Sequence, residues 1–190
     1  MSTTTTASAP ARRATLDDLL RVDGKAELIG GRVVHYMAAG HTPNRVAGRI
    51  FRGLDDHADA TGRGVAYTDG MGFAIPELPS GRESFSPDAS YYVGPLKNKM
   101  RFVEGPPTFA VEVRSENDYG KSAEEEMAAK RADYFQAGTL VVWDVDPIAE
   151  SARKYLASSP DQPILFHRGD QADAEPAVPG WRISVDRIFS

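Results

Sequence analysis

Thr108-Phe109-Ala110-Val111-Glu112-Val113-Arg114 decides how the rest of the chain is read. Aromatic and β-branched residues dominate it, so it is expected to form a strand. Side chains alternate across a strand, which puts Phe109, Val111 and Val113 on one face and Ala110, Glu112 and Arg114 on the other. The first set suits a core. The second sets a carboxylate among apolar neighbours, where it is costly unless it pairs with a cation, stays protonated or binds a metal ion. A Glu–Arg pair on an exposed sheet face is the plainer alternative.

Upstream, Ser84–Val93 is expected to be another strand, and it carries Pro87-Asp88. Proline is compatible with a strand edge or bulge, where side chains are re-aimed. Asp88 then either caps a nearby backbone N–H or faces Glu112 from a neighbouring strand. Two converging carboxylates suit a hard cation such as Mg²⁺, which takes oxygen ligands and keeps several waters.

Downstream, a helix is expected from Ser122 to Ala137, with Ser122 and Glu125 at capping-box spacing and Gly138 at its stop. Met127, Lys130, Arg131 and Tyr134 fall on one stripe of it. Lys130 either snorkels to water or reaches toward Glu112. Leu140–Val145 reads as a buried strand. Asp146-Pro147 turns the chain, and Ala152–Ala157 with Ile164–His167 closes a hairpin. In the tail, Trp181, Ile183, Val185, Ile188 and Phe189 are expected to pack back on the body.

Toward the N-terminus, Thr15 with Asp17 and Asp18 opens a short helix carrying Leu16, Leu19 and Leu20. Glu27-Leu28-Ile29 and Arg32-Val33-Val34-His35-Tyr36 flank Gly30-Gly31 as a hairpin. Thr42 is expected to cap a helix with Pro43 in its first turn. Val46, Ala47, Ile50, Phe51, Leu54 and Ala58 give that helix its period, and Gly62 and Gly64 end it. Val65–Thr68 and Met71–Ile75 follow as strands, and Pro76–Arg82 as a turn. His41 is read as a loop histidine. Gly94–Pro107 is loop-rich, with a basic cluster of Lys97, Lys99 and Arg101 that is either solvated or placed for phosphate contact. This order of elements predicts an α/β (α+β) fold with a mixed sheet flanked by helices.

The 190 residues suit one domain, expected over residues 14–190, behind a disordered lead-in at residues 1–13. The absence of cysteine excludes disulfides, thiolate metal sites and a cysteine nucleophile. No stretch approaches the roughly 20 apolar residues of a membrane helix, and no signal peptide opens the chain, so a cytoplasmic protein is expected. The formal charge of -5 argues against a chain-wide basic footprint for nucleic acid, though not against a local patch.

Several of these residues form one ordered pattern: Glu27-Leu28-Ile29-Gly30-Gly31, His41, Pro87-Asp88, Glu112-Val113-Arg114-Ser115, Lys130, Tyr134, Ala137-Gly138, Trp143 and Asp144-Val145-Asp146-Pro147. The pattern resembles the Uma-type family of restriction-endonuclease-like proteins, a bacterial branch of the PD-(D/E)XK nuclease superfamily. The resemblance implies a restriction-endonuclease-like fold, a DNA substrate and a Mg²⁺ (or Mn²⁺) cofactor. It further implies that Asp88, Glu112 and Glu27, with the Val113 carbonyl, ligate the metal, and that Lys130 orients water or neutralises developing charge. Arg114 stands where the superfamily usually has lysine, and a guanidinium that stays protonated cannot act as a base. Cleaving a duplex needs two sites, so a homodimer is expected. A non-catalytic nuclease-fold module and a plain assembly protein are the competing functional classes. Convergence of Glu27, Asp88, Glu112 and Lys130 in one concave site would separate them.

Overall fold

A computed structural model describes residues 12–190. The lead-in expected at residues 1–13 lies outside the described residues as far as residue 11. Arg12 and Arg13 are described, and they ion-pair with Asp18 and Glu77. The central sheet has six strands: β3 (Val65–Thr68), β6 (Ala89–Tyr92), β8 (Phe109–Val113), β9 (Val141–Asp146), β10 (Ser151–Leu156) and β11 (Ser159–Phe166). Their spatial order is β11-β10-β9-β8-β6-β3. Only the β8–β9 pair is parallel, and it needs a crossover; α3 (Lys121–Ala137) supplies it. The sheet is therefore mixed and helix-flanked, as the element order predicts.

The alternation read in residues 109–113 is realised. Phe109, Val111 and Val113 join the larger core with α2 (His41–Thr61), whose Val46, Ala47, Ile50, Leu54 and Ala58 are buried. The C-terminal segment closes the same side: Trp181, Ile183, Val185 and Ile188 are in this core, and the Trp181 indole N–H donates to the Gly53 carbonyl at 2.9 Å. Phe109 meets both tryptophans, with ring centroids 5.3 Å from Trp143 and 6.0 Å from Trp181. The opposite face packs Ala110 and Val142 with Tyr134 of α3 and with Phe73, Phe85 and Val103 of a small three-stranded sheet.

The hairpin is β1 (Ala26–Ile29) and β2 (Arg32–His35), turned at Gly30 and Gly31 with φ of 59° and 69°. Two successive residues of positive φ make the tight turn that fits strand twist, and only glycine adopts it without cost.

Several local expectations are corrected. Ser84–Val93 is not one strand: β5 (Ser84–Phe85) pairs with β4 (Phe73–Ala74), whereas β6 belongs to the central sheet. Ser86-Pro87-Asp88 breaks the run, because proline has no N–H for a ladder. The strand expected at Met71–Ile75 shrinks to the two residues of β4. Helix α2 starts one residue before Thr42, with Gly40 as its N-cap and no side-chain cap. Likewise α3 starts at Lys121 behind Gly120, and the Ser122 hydroxyl donates to Glu126 instead of capping. Among the described residues the one capping box lies at Thr15 and Asp18 of α1 (Leu16–Leu19). Among the described residues no helix is long and apolar enough to cross a membrane.

Phe109 has no exposed surface and links two tryptophans across the core. Phe109→Ala is expected to lower unfolding free energy by about 3–5 kcal/mol, read by urea denaturation. A loss below about 1 kcal/mol would show that this core is not the one holding the sheet to α2.

Candidate active site

The break at Pro87 aims Asp88 at the end of β8. The Asp88 N–H donates to the Val111 carbonyl at 3.0 Å, and Asp88 Oδ2 accepts the Val113 N–H at 2.7 Å. Asp88 is thus clipped beside Glu112, the residue between those two contacts. The N–H and C=O of a strand residue point to one edge, so the Val113 carbonyl lies on the edge that Asp88 occupies.

Glu112 faces α3. Its Oε1 accepts the Tyr134 hydroxyl at 2.6 Å and lies 2.8 Å from Lys130 Nζ. A quarter of its side-chain surface stays open. Burial, aided by the charges of Asp88 and Glu27, holds the Glu112 carboxyl above the usual range despite Lys130 and Lys25. The Lys130 ammonium is shared: it lies 3.2 Å from Glu27 Oε1, and over the rings of Tyr36 and Tyr134 at 5.6 and 5.9 Å. The stripe expectation for Lys130 and Tyr134 is therefore met in position.

Glu27 has no exposed surface. Its Oε1 also accepts the Ser86 N–H at 3.0 Å, while Oε2 accepts the Tyr36 hydroxyl at 3.0 Å and the Arg82 guanidinium. Arg82 in turn reaches Asp133 at 2.8 Å. Burial opposes the charged form of Glu27, but Lys130 and Arg82 outweigh it and hold the carboxyl below its ordinary value. Burial and the Glu27 charge push the Tyr36 phenol up to about 12. Both Glu27 oxygens are taken by protein donors, and its side chain has no surface on the cleft that Asp88 and Glu112 line. Among the described residues no group of three or more His, Cys, Asp or Glu is arranged to hold a metal ion.

Sequence reasoning missed Arg82 and Asp133, and it missed the two residues that stand at Asp88 itself. Lys25 Nζ lies 2.6 Å from Asp88 Oδ1 and 2.7 Å from Asp69 Oδ1. Lys25 is two positions before Glu27, which hints that they share a side. Nothing local marks Asp69 apart from a turn aspartate; it reaches the site because Thr68 pairs with Ala89. Lys25, Asp69, Asp88, Glu112 and Lys130 line a cleft of about 1220 Å³, together with His41 at the start of α2 and Arg131, and the buried Glu27 lies behind its surface.

Arg114 does not pair with Glu112. Its guanidinium binds both oxygens of Asp144, at 2.7 Å each, and also Glu124, with 3% of its side chain exposed. The basic cluster of residues 97–101 is outside the cleft lining, and Lys97 and Arg101 pair with Glu104 and Asp17.

Removing one partner of a buried ion pair costs about 3–5 kcal/mol, so Glu27→Ala is expected to lose that much stability at pH 7. The Glu27 carboxyl is lowered on folding, so its contribution is full above its ordinary value of 4.5 and is lost as pH falls through the lower folded value. The gap between wild type and variant should narrow in urea titrations from pH 7 toward pH 3. A constant gap would remove the ionic account of Glu27.

No curated protein matches the chain. A solved structure from Anabaena variabilis ATCC 29413, described as "a putative nuclease belonging to DUF820", superposes with a TM-score of 0.71 at 15% identity, covering 92% of this chain and 97% of that one. At that identity the likeness shows a shared fold. The model of the Uma2 family, described as "Putative restriction endonuclease", matches residues 14–186, and the chain belongs to that family.

Proposed function

We propose that this protein is a Mg²⁺-dependent (or Mn²⁺-dependent) DNA endonuclease that hydrolyses phosphodiester bonds. Family membership supports the nuclease class. The observation that carries the finer reading is the approach of Asp88 to Glu112 at the end of β8, with Lys130 on Glu112. The donor chemistry fits a hard cation. Asp69, Asp88, Glu112, Glu27 and Asp133 outnumber Lys25, Lys130 and Arg82, so the linked cluster has excess negative charge. Magnesium is commonly held by one or two carboxylates together with substrate phosphate. Asp88, Glu112 and the Val113 carbonyl would hold the ion.

A divalent ion bound there supplies an activated water and neutralises charge on the phosphoryl oxygens. The chain does the rest. Tyr134 fixes one Glu112 oxygen and leaves the carboxylate part-open to the cleft. Lys130 keeps a positive charge, raised on folding by Glu112 and Glu27 against burial, and neutralises charge building on the phosphate. Glu27 is a positioning residue in this reading: it anchors Lys130 and does not touch the ion. Arg114 has no catalytic part, since Asp144 and Glu124 hold it. His41 and Ser122, in the first turns of α2 and α3, line the cleft, and neither helix has a side-chain cap. Unpaired N–H groups at such ends suit the DNA backbone.

A second reading has one observation behind it. Asp88, Glu112 and Glu27 each already carry an ammonium or guanidinium partner. That arrangement also suits a non-catalytic module that kept the fold and binds nucleic acid.

Supercoiled plasmid cleavage separates the two. Wild type is expected to nick or cut in Mg²⁺ and Mn²⁺ but not in chelator. Asp88→Asn and Glu112→Gln should abolish cutting and the heat of Mn²⁺ binding. Lys130→Met should lower the rate about 10²- to 10³-fold while leaving more of the metal affinity. Equal background nicking by wild type and Glu112→Gln would favour the non-catalytic module. Because two strands require two sites, the protein is also proposed to be a homodimer. Sedimentation at micromolar concentration should show a species of twice the 20.6 kDa chain mass, and a monomer alone would sink that assignment.

A further inference from the structure

The proposed chemistry leaves the ammonium of Lys25 without a task, yet no group stands closer to Asp88. One Asp88 oxygen is spent on the Val113 N–H, at 2.7 Å, and the other faces Lys25 Nζ at 2.6 Å. The lysine side chain is only 17% exposed, so this is a held contact and not a passing surface pair. Glu112 also acts on the Lys25 charge. The ammonium therefore does for the two facing carboxylates what a bound cation would do: it offsets their repulsion. A divalent ion and an ammonium competing for the same oxygen repel each other strongly in a part-buried cleft.

The second partner of Lys25 gives the ammonium somewhere to go. Asp69 Oδ1 lies 2.7 Å from the same Nζ, and Asp69 is one-third exposed, on the turn after β3. An ammonium that gives up Asp88 can keep Asp69 as its partner. Such a move does not leave the ammonium buried and unpaired, which would be costly.

We propose that Lys25 is a built-in counter-ion of Asp88, and that a divalent cation reaches Asp88 by pushing the Lys25 ammonium onto Asp69. This rests on the metal-site reading above. It makes Lys25 a determinant of metal affinity: the lysine stabilises the acidic pair without metal and weakens metal binding by competing for it.

The test is calorimetric titration of Mn²⁺ into the full chain. Lys25→Met is expected to bind at least tenfold more tightly than wild type. Lys97→Met, which removes a charge outside the cleft, should match wild type. Thermal denaturation gives a readout independent of activity: Lys25→Met should melt lower than wild type in chelator and gain more from Mn²⁺. Lys25→Gln can hydrogen-bond Asp88 without charge, and it should shift affinity in the same direction if Met disturbs folding. In a crystal grown with Mn²⁺, Lys25 should contact Asp69 and no longer Asp88. Wild-type binding that is unchanged or weakened by both Lys25 variants would overturn the displacement alone, as would a Mn²⁺-bound structure that keeps the Lys25–Asp88 contact. No binding by wild type or either variant would overturn the metal reading and this inference with it.

Discussion

The Lys130 ammonium, held between Glu27 and Glu112, is the contact on which the cleft depends. It ties three separate pieces of chain: the N-terminal hairpin, the central strand β8 and the crossover helix α3. Glu27 is fully buried and Glu112 largely so, and neither could stay charged there alone. One cation serving two acids makes their burial tolerable, and it fixes the distance between hairpin and sheet. Arg82 completes the arrangement by linking Glu27 to Asp133, on the same helix as Lys130.

From that contact the charges run through Glu112 to the neighbouring acid Asp88, and on through Lys25 to Asp69. Each acid is flanked by a base, but the acids are in excess. A cluster like this is stable enough to fold around and still attractive to an added cation. The same feature underlies both functional readings: the lysines neutralise the acids in a binding module, and they set the conditions for metal entry in a nuclease.

Arg114 shows how one substitution in a familiar pattern redistributes labour. Directly after β8, two positions from Glu112, it is expected on the same face, so a local Glu–Arg pair is the natural expectation. The parallel neighbour β9 instead brings Asp144 into register with Glu112, and the longer guanidinium reaches it with two bonds. Glu124 of α3 takes what remains. Arg114 thereby becomes a clasp between sheet and helix, and Lys130 and Lys25 are left as the lysines at the acids.

The sequence by itself determined the periodic parts of this protein. Alternation in residues 109–113 named the core and cleft faces of β8; the apolar period of residues 46–58 named the buried side of α2; and Gly30-Gly31 named the hairpin turn. Glu112 stood out too, because an acid among apolar residues breaks a local pattern, whereas Glu27, Asp88 and Lys130 were singled out by the family resemblance and not by their local sequence. The tertiary structure alone decided that Ser84–Val93 splits between two sheets, that both long helices begin behind glycine, and that Arg114 turns to Asp144. It also brought Lys25 and Asp69 to Asp88. The reason is physical. Periodicity and turn chemistry act over a few residues, whereas these outcomes depend on which strand lies beside which, and a charge takes whichever partner the sheet register carries within reach.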